Sequence, residues 1–159
     1  MPVKKYSPDY WMQYAISQAL KAQDEDEVPV GAIVIKDNKI IGTGYNQVIG
    51  KNNPTAHAEI QALQNAGISM QNYRLLDTQL YVTLEPCMMC VGAMIHARIG
   101  SIYFGAYDTK TGMAQTVDTC FSKPYHNHRI NFEGGILQAR CAQLLQSFFK
   151  NKRLLKKHS

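Results

Sequence analysis

Nothing in this 159-residue chain is apolar for long enough to cross a bilayer. Its longest mainly apolar stretch, around Met88 to Ile95, falls far short of the roughly 20 residues that a membrane helix needs. The opening Met1-Pro2-Val3-Lys4-Lys5-Tyr6 lacks the apolar core of a secretory signal, so a soluble cytoplasmic protein with no membrane partner is expected. Cysteine is sparse, at four residues, and a reducing cytosol leaves metal binding or thiol chemistry as the uses of any close pair. Internal repeats and low-complexity tracts are absent, which excludes solenoids and flexible arrays. Acidic residues are missing from one region. None follows Glu133, whereas Arg140, Lys150, Lys152, Arg153, Lys156 and Lys157 all do. The other 11 basic residues face 12 acidic ones, so the whole positive excess of a chain with net charge +5 belongs to its C-terminal segment. Such a segment is either a nucleic-acid footprint or a solvated helix end whose cations complement the macrodipole.

What is present is ordinary globular material. Apolar residues make up 45% and charged residues 18%, enough for one domain over residues 1–159 with its own core, ending in a basic helix and tail from about residue 136. Ser7-Pro8-Asp9 reads as a helix start, with Ser7 as N-cap and Pro8 at the first helical position. Met12, Ala15, Ile16, Ala19 and Leu20 then predict a helix from about Pro8 to Gln23, ended by the acidic run Asp24 to Glu27, a solvated connector. Val30 to Ile35 and Lys39 to Tyr45 form a hairpin about Lys36-Asp37-Asn38. Gly42 and Gly44 mark a bulge or a close backbone approach in its second strand, and Asn46 lies at the rim beyond it, as a turn residue or facing a ligand.

Thr55 is the expected N-cap of a second helix whose buried stripe includes Ile60 and Leu63 and whose stop is Gly67. His57 and Glu59 fall in its first turn. Two residues correspond to about 200° around a helix, so they serve one site only if that site lies off the open N-terminal end. Leu80 to Leu84 is a third strand, and Pro86 opens a third helix that carries Cys87 and Cys90 one turn apart. Ile102 to Gly105 is a fourth strand, Met113 to Asn127 shows no clear pattern, and Arg129 to Phe132 is a fifth strand before Gly134-Gly135. Leu137, Cys141, Leu144, Leu145 and Phe148 form the apolar stripe of a last long helix. Cys120 and Cys141 are expected to be small buried hydrophobes. The alternation of strands and helices predicts a three-layer α/β/α domain with a central mixed five-stranded sheet.

The chemistry lies in Pro86-Cys87-Met88-Met89-Cys90. Two cysteines three apart at a strand-to-helix junction either hold a metal or run thiol redox chemistry, as in thioredoxin-like proteins. As zinc thiolates at a helix N-terminus they need a third ligand, and His57, beside a carboxylate at another helix start, is the candidate. Three protein ligands leave one position open, the mark of a catalytic zinc, and Glu59 is then a proton carrier for the water that zinc activates. A structural zinc module would instead need a fourth ligand, such as His96 or Cys120, and neither has motif spacing.

HAE at 57 to 59 with PCMMC at 86 to 90 resembles the H-x-E…P-C-x-x-C signature of zinc-dependent nucleoside and nucleobase deaminases. VPVGA at 28 to 32, GYN at 44 to 46, PTAHAEI at 54 to 60, NYRL at 72 to 75, LYVTLEPCMMC at 80 to 90, GAMIHARI at 92 to 99, NHR at 127 to 129 and LLQSFF at 144 to 149 look like the tRNA-specific adenosine deaminase branch of the cytidine/deoxycytidylate deaminase superfamily. The resemblance implies a cytidine deaminase-like fold, one zinc per chain on His57, Cys87 and Cys90, and Glu59 as the proton shuttle. It implies that Asn46 hydrogen-bonds a flipped adenine, that Val30 and the backbone of Ala58 line its pocket, and that Asp108, Lys110, Phe148 and Arg153 hold the tRNA anticodon loop. The implied reaction is hydrolysis of adenosine to inosine at the wobble position, by a homodimer with each site near the subunit interface. Met113, Gln115-Thr116 and Arg140 depart from the family pattern. A deaminase of free guanine or cytosine would share the zinc site but would not need the basic last helix.

Overall fold

The computed structural model describes residues 5–157, so Met1 to Lys4 of the opening and the last two residues of the basic tail lie outside the described residues. The elements run α1 (Pro8–Asp24), β1 (Gly31–Lys36), β2 (Lys39–Tyr45), α2 (Ala58–Met70), β3 (Gln79–Leu84), α3 (Met88–Ala97), β4 (Ser101–Ala106), a 3₁₀ turn (Cys120–Ser122), β5 (Asn131–Glu133) and α4 (Gln138–Lys157). The strands form one sheet in the order β2-β1-β3-β4-β5, with β2, β1 and β3 antiparallel and β3, β4 and β5 parallel. The mixed five-stranded sheet is therefore as expected.

Side chains alternate across that sheet and both faces are covered, which is why β1 is buried at nearly every residue. Val34, Leu80, Val82, Ile102 and Phe104 meet Ala62, Met94 and Ile95 in the layer of α2 and α3. Ile33, Ile35, Tyr81 and Ala106 meet Trp11, Met12, Ile16 and Cys141 in the layer of α1 and α4. Cys141 is fully buried as expected; Cys120 is only half-buried.

Local chemistry accounts for most boundaries. Ser7 caps α1 by accepting from the Tyr10 amide, with Pro8 at the start of the helix. The hairpin turn is tighter than expected: β1 runs through Lys36, and Asp37 and Asn38 both take positive φ (51° and 60°), the conformation of a type I′ turn. Both readings of the β2 glycines hold. The register shifts opposite Val34/Ile35, and a Cβ on Gly44 would sit 2.4 Å from the Ala62 amide nitrogen while one on Gly42 would sit 2.5 Å from the Ala62 carbonyl oxygen. Helix α2 thus lies directly on the β2 backbone, presenting Ala58, Ala62 and Ala66 to it.

Four expectations need correction. Thr55 does not cap α2: its amide and hydroxyl both donate to the Asn53 carboxamide oxygen, and the helix starts two residues later with His57 as N-cap. Gly67 does not stop α2, which continues to Met70, because Gln71 takes the left-handed conformation (φ 50°) that closes the last turn. Leu137 has φ 50° and precedes α4 instead of opening it, though it still packs on the α1 layer. The acidic run is exposed through Asp26, as expected of a connector, but it ends in a buried anchor. Glu27 is 1% exposed and accepts from the Ile49 and Gly50 amides, Glu25 accepts from the Tyr45 hydroxyl and the Gln47 carboxamide, and Asp26 pairs with Lys152. The patternless stretch from Met113 to Asn127 is irregular apart from its 3₁₀ turn, where Phe121 stacks on Phe132.

Candidate active site

Two helix starts meet at one corner. His57 is the N-cap of α2 and Cys87 the N-cap of α3, both with extended backbone, and neither side chain folds back to cap its own helix. The expectation that His57 and Glu59 share a site only off the helix end is met by His57 standing one residue outside it. Pro86 precedes α3, and Cys90 lies in the first turn, fully buried. Open amides at both helix ends favour anionic sulfur there.

The His57 Nδ1 lies 3.6 Å from the Cys87 Sγ and 3.6 Å from the Cys90 Sγ, and the three donor atoms fall within 4.8 Å of one another. Metal–sulfur bonds of about 2.3 Å and a metal–nitrogen bond of about 2.0–2.1 Å at tetrahedral angles put each sulfur roughly 3.6 Å from the nitrogen. The spacing fits a zinc-sized ion, and two thiolates with one imidazole are the donors such an ion takes. Without metal, the cysteine pair keeps one proton. The hydrogen bond from Cys90 brings the Cys87 thiol down to about 4, helped by His57, while the same bond and burial push the Cys90 thiol up. The contact with Cys87 raises the His57 pKa, with the Glu59 charge adding to it against burial.

Glu59, in the first turn of α2, is 4% exposed. Burial pushes its carboxyl up to about 7, so near neutral pH it both accepts and releases a proton. It opens, with His57 and Cys87, onto a cavity of about 310 Å³. Val30 and Ala58 line that cavity, as does Asn46, whose carboxamide donates to the Val28 carbonyl. Val28, Val48, Leu84 and Thr111 complete apolar and rim contacts that the sequence did not single out.

Asp108 lies on the cavity wall and folds its own turn, accepting from the Lys110 and Thr111 amides and the Thr111 hydroxyl. Lys110, two residues on, lines a second groove of about 380 Å³ with Phe149, Lys152, Arg153 and Lys156 of α4. One loop therefore spans from the metal corner to the basic helix. Phe148 does not face that groove. It is 9% exposed, with the Lys152 ammonium 5.5 Å above its ring, and the exposed ring is Phe149 at 44%.

Glu85, unremarked in the sequence, is 2% exposed at the end of β3 and also touches the cavity. It accepts from the amides of Asp108, Ala114, Gln115 and Thr116 and from the Thr116 hydroxyl. Burial alone would raise its carboxyl; these donors outweigh it and hold the pKa below the usual range. Two of the departures from the family pattern, Gln115 and Thr116, are thus where the chain binds Glu85, and Met113 donates its amide to the Pro86 carbonyl. Arg140 is exposed in the first turn of α4, and nothing in the structure explains it.

Known proteins share the sequence and the fold that carry this site. Residues 6–153 match the profile of the MafB19-like deaminase family. The tRNA-specific adenosine deaminase of Buchnera aphidicola (Schizaphis graminum) is 45% identical over 151 residues, covering 95% of this chain and 99% of its own. That of Haemophilus influenzae is 47% identical over 147 residues, covering 92% of this chain and 85% of its own. A solved structure from work on A-to-I editing by tRNA:A34 deaminases at the wobble position of transfer RNA superposes with a TM-score of 0.83 at 37% identity, over 86% of this chain and 99% of that one.

Proposed function

The chain belongs to the MafB19-like deaminase family, among relatives named tRNA-specific adenosine deaminase, and we propose that it converts adenosine to inosine at the wobble position of a tRNA anticodon by zinc-dependent hydrolysis. The observation that carries this is the His57 nitrogen standing 3.6 Å from both sulfurs, beside a buried carboxylate on the same cavity. A thioredoxin-like thiol pair has no use for that histidine, and a deaminase of free guanine or cytosine has none for the basic groove of α4.

His57, Cys87 and Cys90 would hold one zinc per chain, and bound there it would make a water nucleophilic near neutral pH. Glu59 takes one proton from the water as it adds to C6 of adenine and delivers it to the neighbouring ring nitrogen, then takes the remaining proton from the new C6 hydroxyl and delivers it to the departing amine as the C6 carbonyl forms. Adenosine and water leave as inosine and ammonia. Asn46 hydrogen-bonds the flipped base, while Val30 and Ala58 pack against its faces and exclude water. Asp108, Lys110 and Arg153 hold the anticodon loop, whose bases unstack at small cost. The inward Phe148 supports this surface by packing, and Phe149 offers the exposed ring.

The protein acts as one domain, in the cytoplasm, as a homodimer. Among the described residues no helix is long and apolar enough to cross a membrane. An apolar groove of about 370 Å³, lined by Ile60 and Leu63 of α2, Ala93 of α3 and Tyr73, supports a second copy docking there. The test is the purified protein with an anticodon stem-loop. One zinc per chain, inosine at the wobble position, and a dimer by light scattering are expected; zinc-loaded protein that leaves the stem-loop unchanged but deaminates a free base would move the assignment.

A further inference from the structure

We propose that Glu85 is a positioning residue for RNA recognition, holding the 108–116 loop in the shape that joins the cavity to the basic groove. The proposal rests on the RNA reading above. A buried carboxylate is costly unless its oxygens are satisfied, and here the donors are four backbone amides and one hydroxyl from a single loop. The loop is wound around the charge. The Asp108 amide and the Thr116 hydroxyl donate to Oε1, and the Ala114, Gln115 and Thr116 amides donate to Oε2. Between them Gly112 passes so close that a Cβ there would sit 2.5 Å from the Glu85 carboxyl carbon.

The place of this charge argues for recognition over bulk stability. The loop it organises is exposed at Thr109 to Thr111 and at Gln115 to Val117, and only Gly112 and Ala114 between them are buried, Ala114 in the core. What it fixes is the turn that presents Asp108 and Thr111 to the cavity and Lys110 to the groove. The Glu85 amide is itself held by the Ala106 carbonyl, and the Pro86 carbonyl by the Met113 amide. The loop therefore hangs from the same backbone that ends two residues later in Cys87.

Glu85→Gln separates the two halves. Its carboxamide oxygen still serves the Ala114 to Thr116 amides, while its NH₂ faces the Asp108 N–H and cannot accept from it. With zinc-loaded protein and an anticodon stem-loop, KM is expected to rise about tenfold while kcat per zinc changes less than about threefold. Zinc stays at one per chain, and amide hydrogen exchange accelerates at Asp108 to Thr111 more than at Ala114 to Thr116. A merely structural role would lower the melting temperature and leave KM per folded enzyme unmoved. An unchanged KM, or a kcat that falls together with zinc content, overturns the proposal. If Glu85→Gln does not fold, Thr116→Val removes the hydroxyl alone and is expected to raise KM about twofold to threefold, and an unchanged KM there overturns it equally. Wild-type protein inactive on the stem-loop would instead defeat the RNA reading itself; active wild type with an unmoved variant defeats only the role of Glu85.

Discussion

The metal corner and the basic groove are built on opposite plans. At the corner three donor atoms lie within 4.8 Å of one another, set by the starts of two helices, and the carboxylate beside them is 4% exposed. Along the groove the side chains are long and solvent-facing, and one of its cations, Lys152, already pairs with Asp26 at 2.6 Å. A buried constellation works as a unit, and losing one member removes its function outright. An exposed set of charges is screened and acts by degrees. On the function proposed above, chemistry is concentrated in a few rigid positions and affinity is spread over many soft ones.

The sharpest test of that division is Glu59→Gln, expected to cost about 10²- to 10⁴-fold in kcat with zinc retained and stem-loop binding little changed. Weakened binding of the same order as the lost rate would break the division. Next comes Lys152→Ala with Arg153→Ala, expected to weaken stem-loop binding and to flatten the salt dependence by about 0.7 per lost phosphate contact, with kcat intact. Titrating Kd against salt measures it, and an unchanged slope would return α4 to a merely solvated helix. The smallest effect is expected for Asp26→Asn, which releases Lys152. Stability should change by no more than about 1 kcal/mol, as for other exposed pairs, while RNA binding tightens slightly, read by melting and by titration.

The parts of the molecule legible in sequence were those whose cause is local. Ser7-Pro8 capped α1 because the acceptor and its amide are three residues apart. His57, Glu59, Cys87 and Cys90 stood out because metal donors and a carboxylate cluster in short motifs. Gly42 and Gly44 signalled a close approach that α2 supplies. What escaped was set by partners far along the chain. Glu27 looked solvated inside an acidic run, yet its partners are amides 22 and 23 residues away; Glu85 gave no sign of a loop up to 31 residues on. Backbone amides have no sequence signature, so a carboxylate buried among them is invisible until the fold is known. Thr55 lost its cap to a local rival, the Asn53 carboxamide two residues back. Phe148 lies on the buried stripe, as the period set by Cys141, Leu144 and Leu145 predicts, and its edge lines a shallow groove beside Lys152.

The bare contact between β2 and α2 also bears on the spacing at the site. With only hydrogen atoms at residues 42 and 44, the β2 backbone stacks on the α2 backbone at Ala62 and on the Gln61 and Ala66 Cβ atoms, so strand and helix form one plate. His57 is the tip of that plate, while the two sulfurs ride on α3 beyond a different strand. The spacing between imidazole and thiols therefore depends on a backbone contact on one side and, on the other, on the side-chain packing of Met94 and Ile95 against β3 and β4.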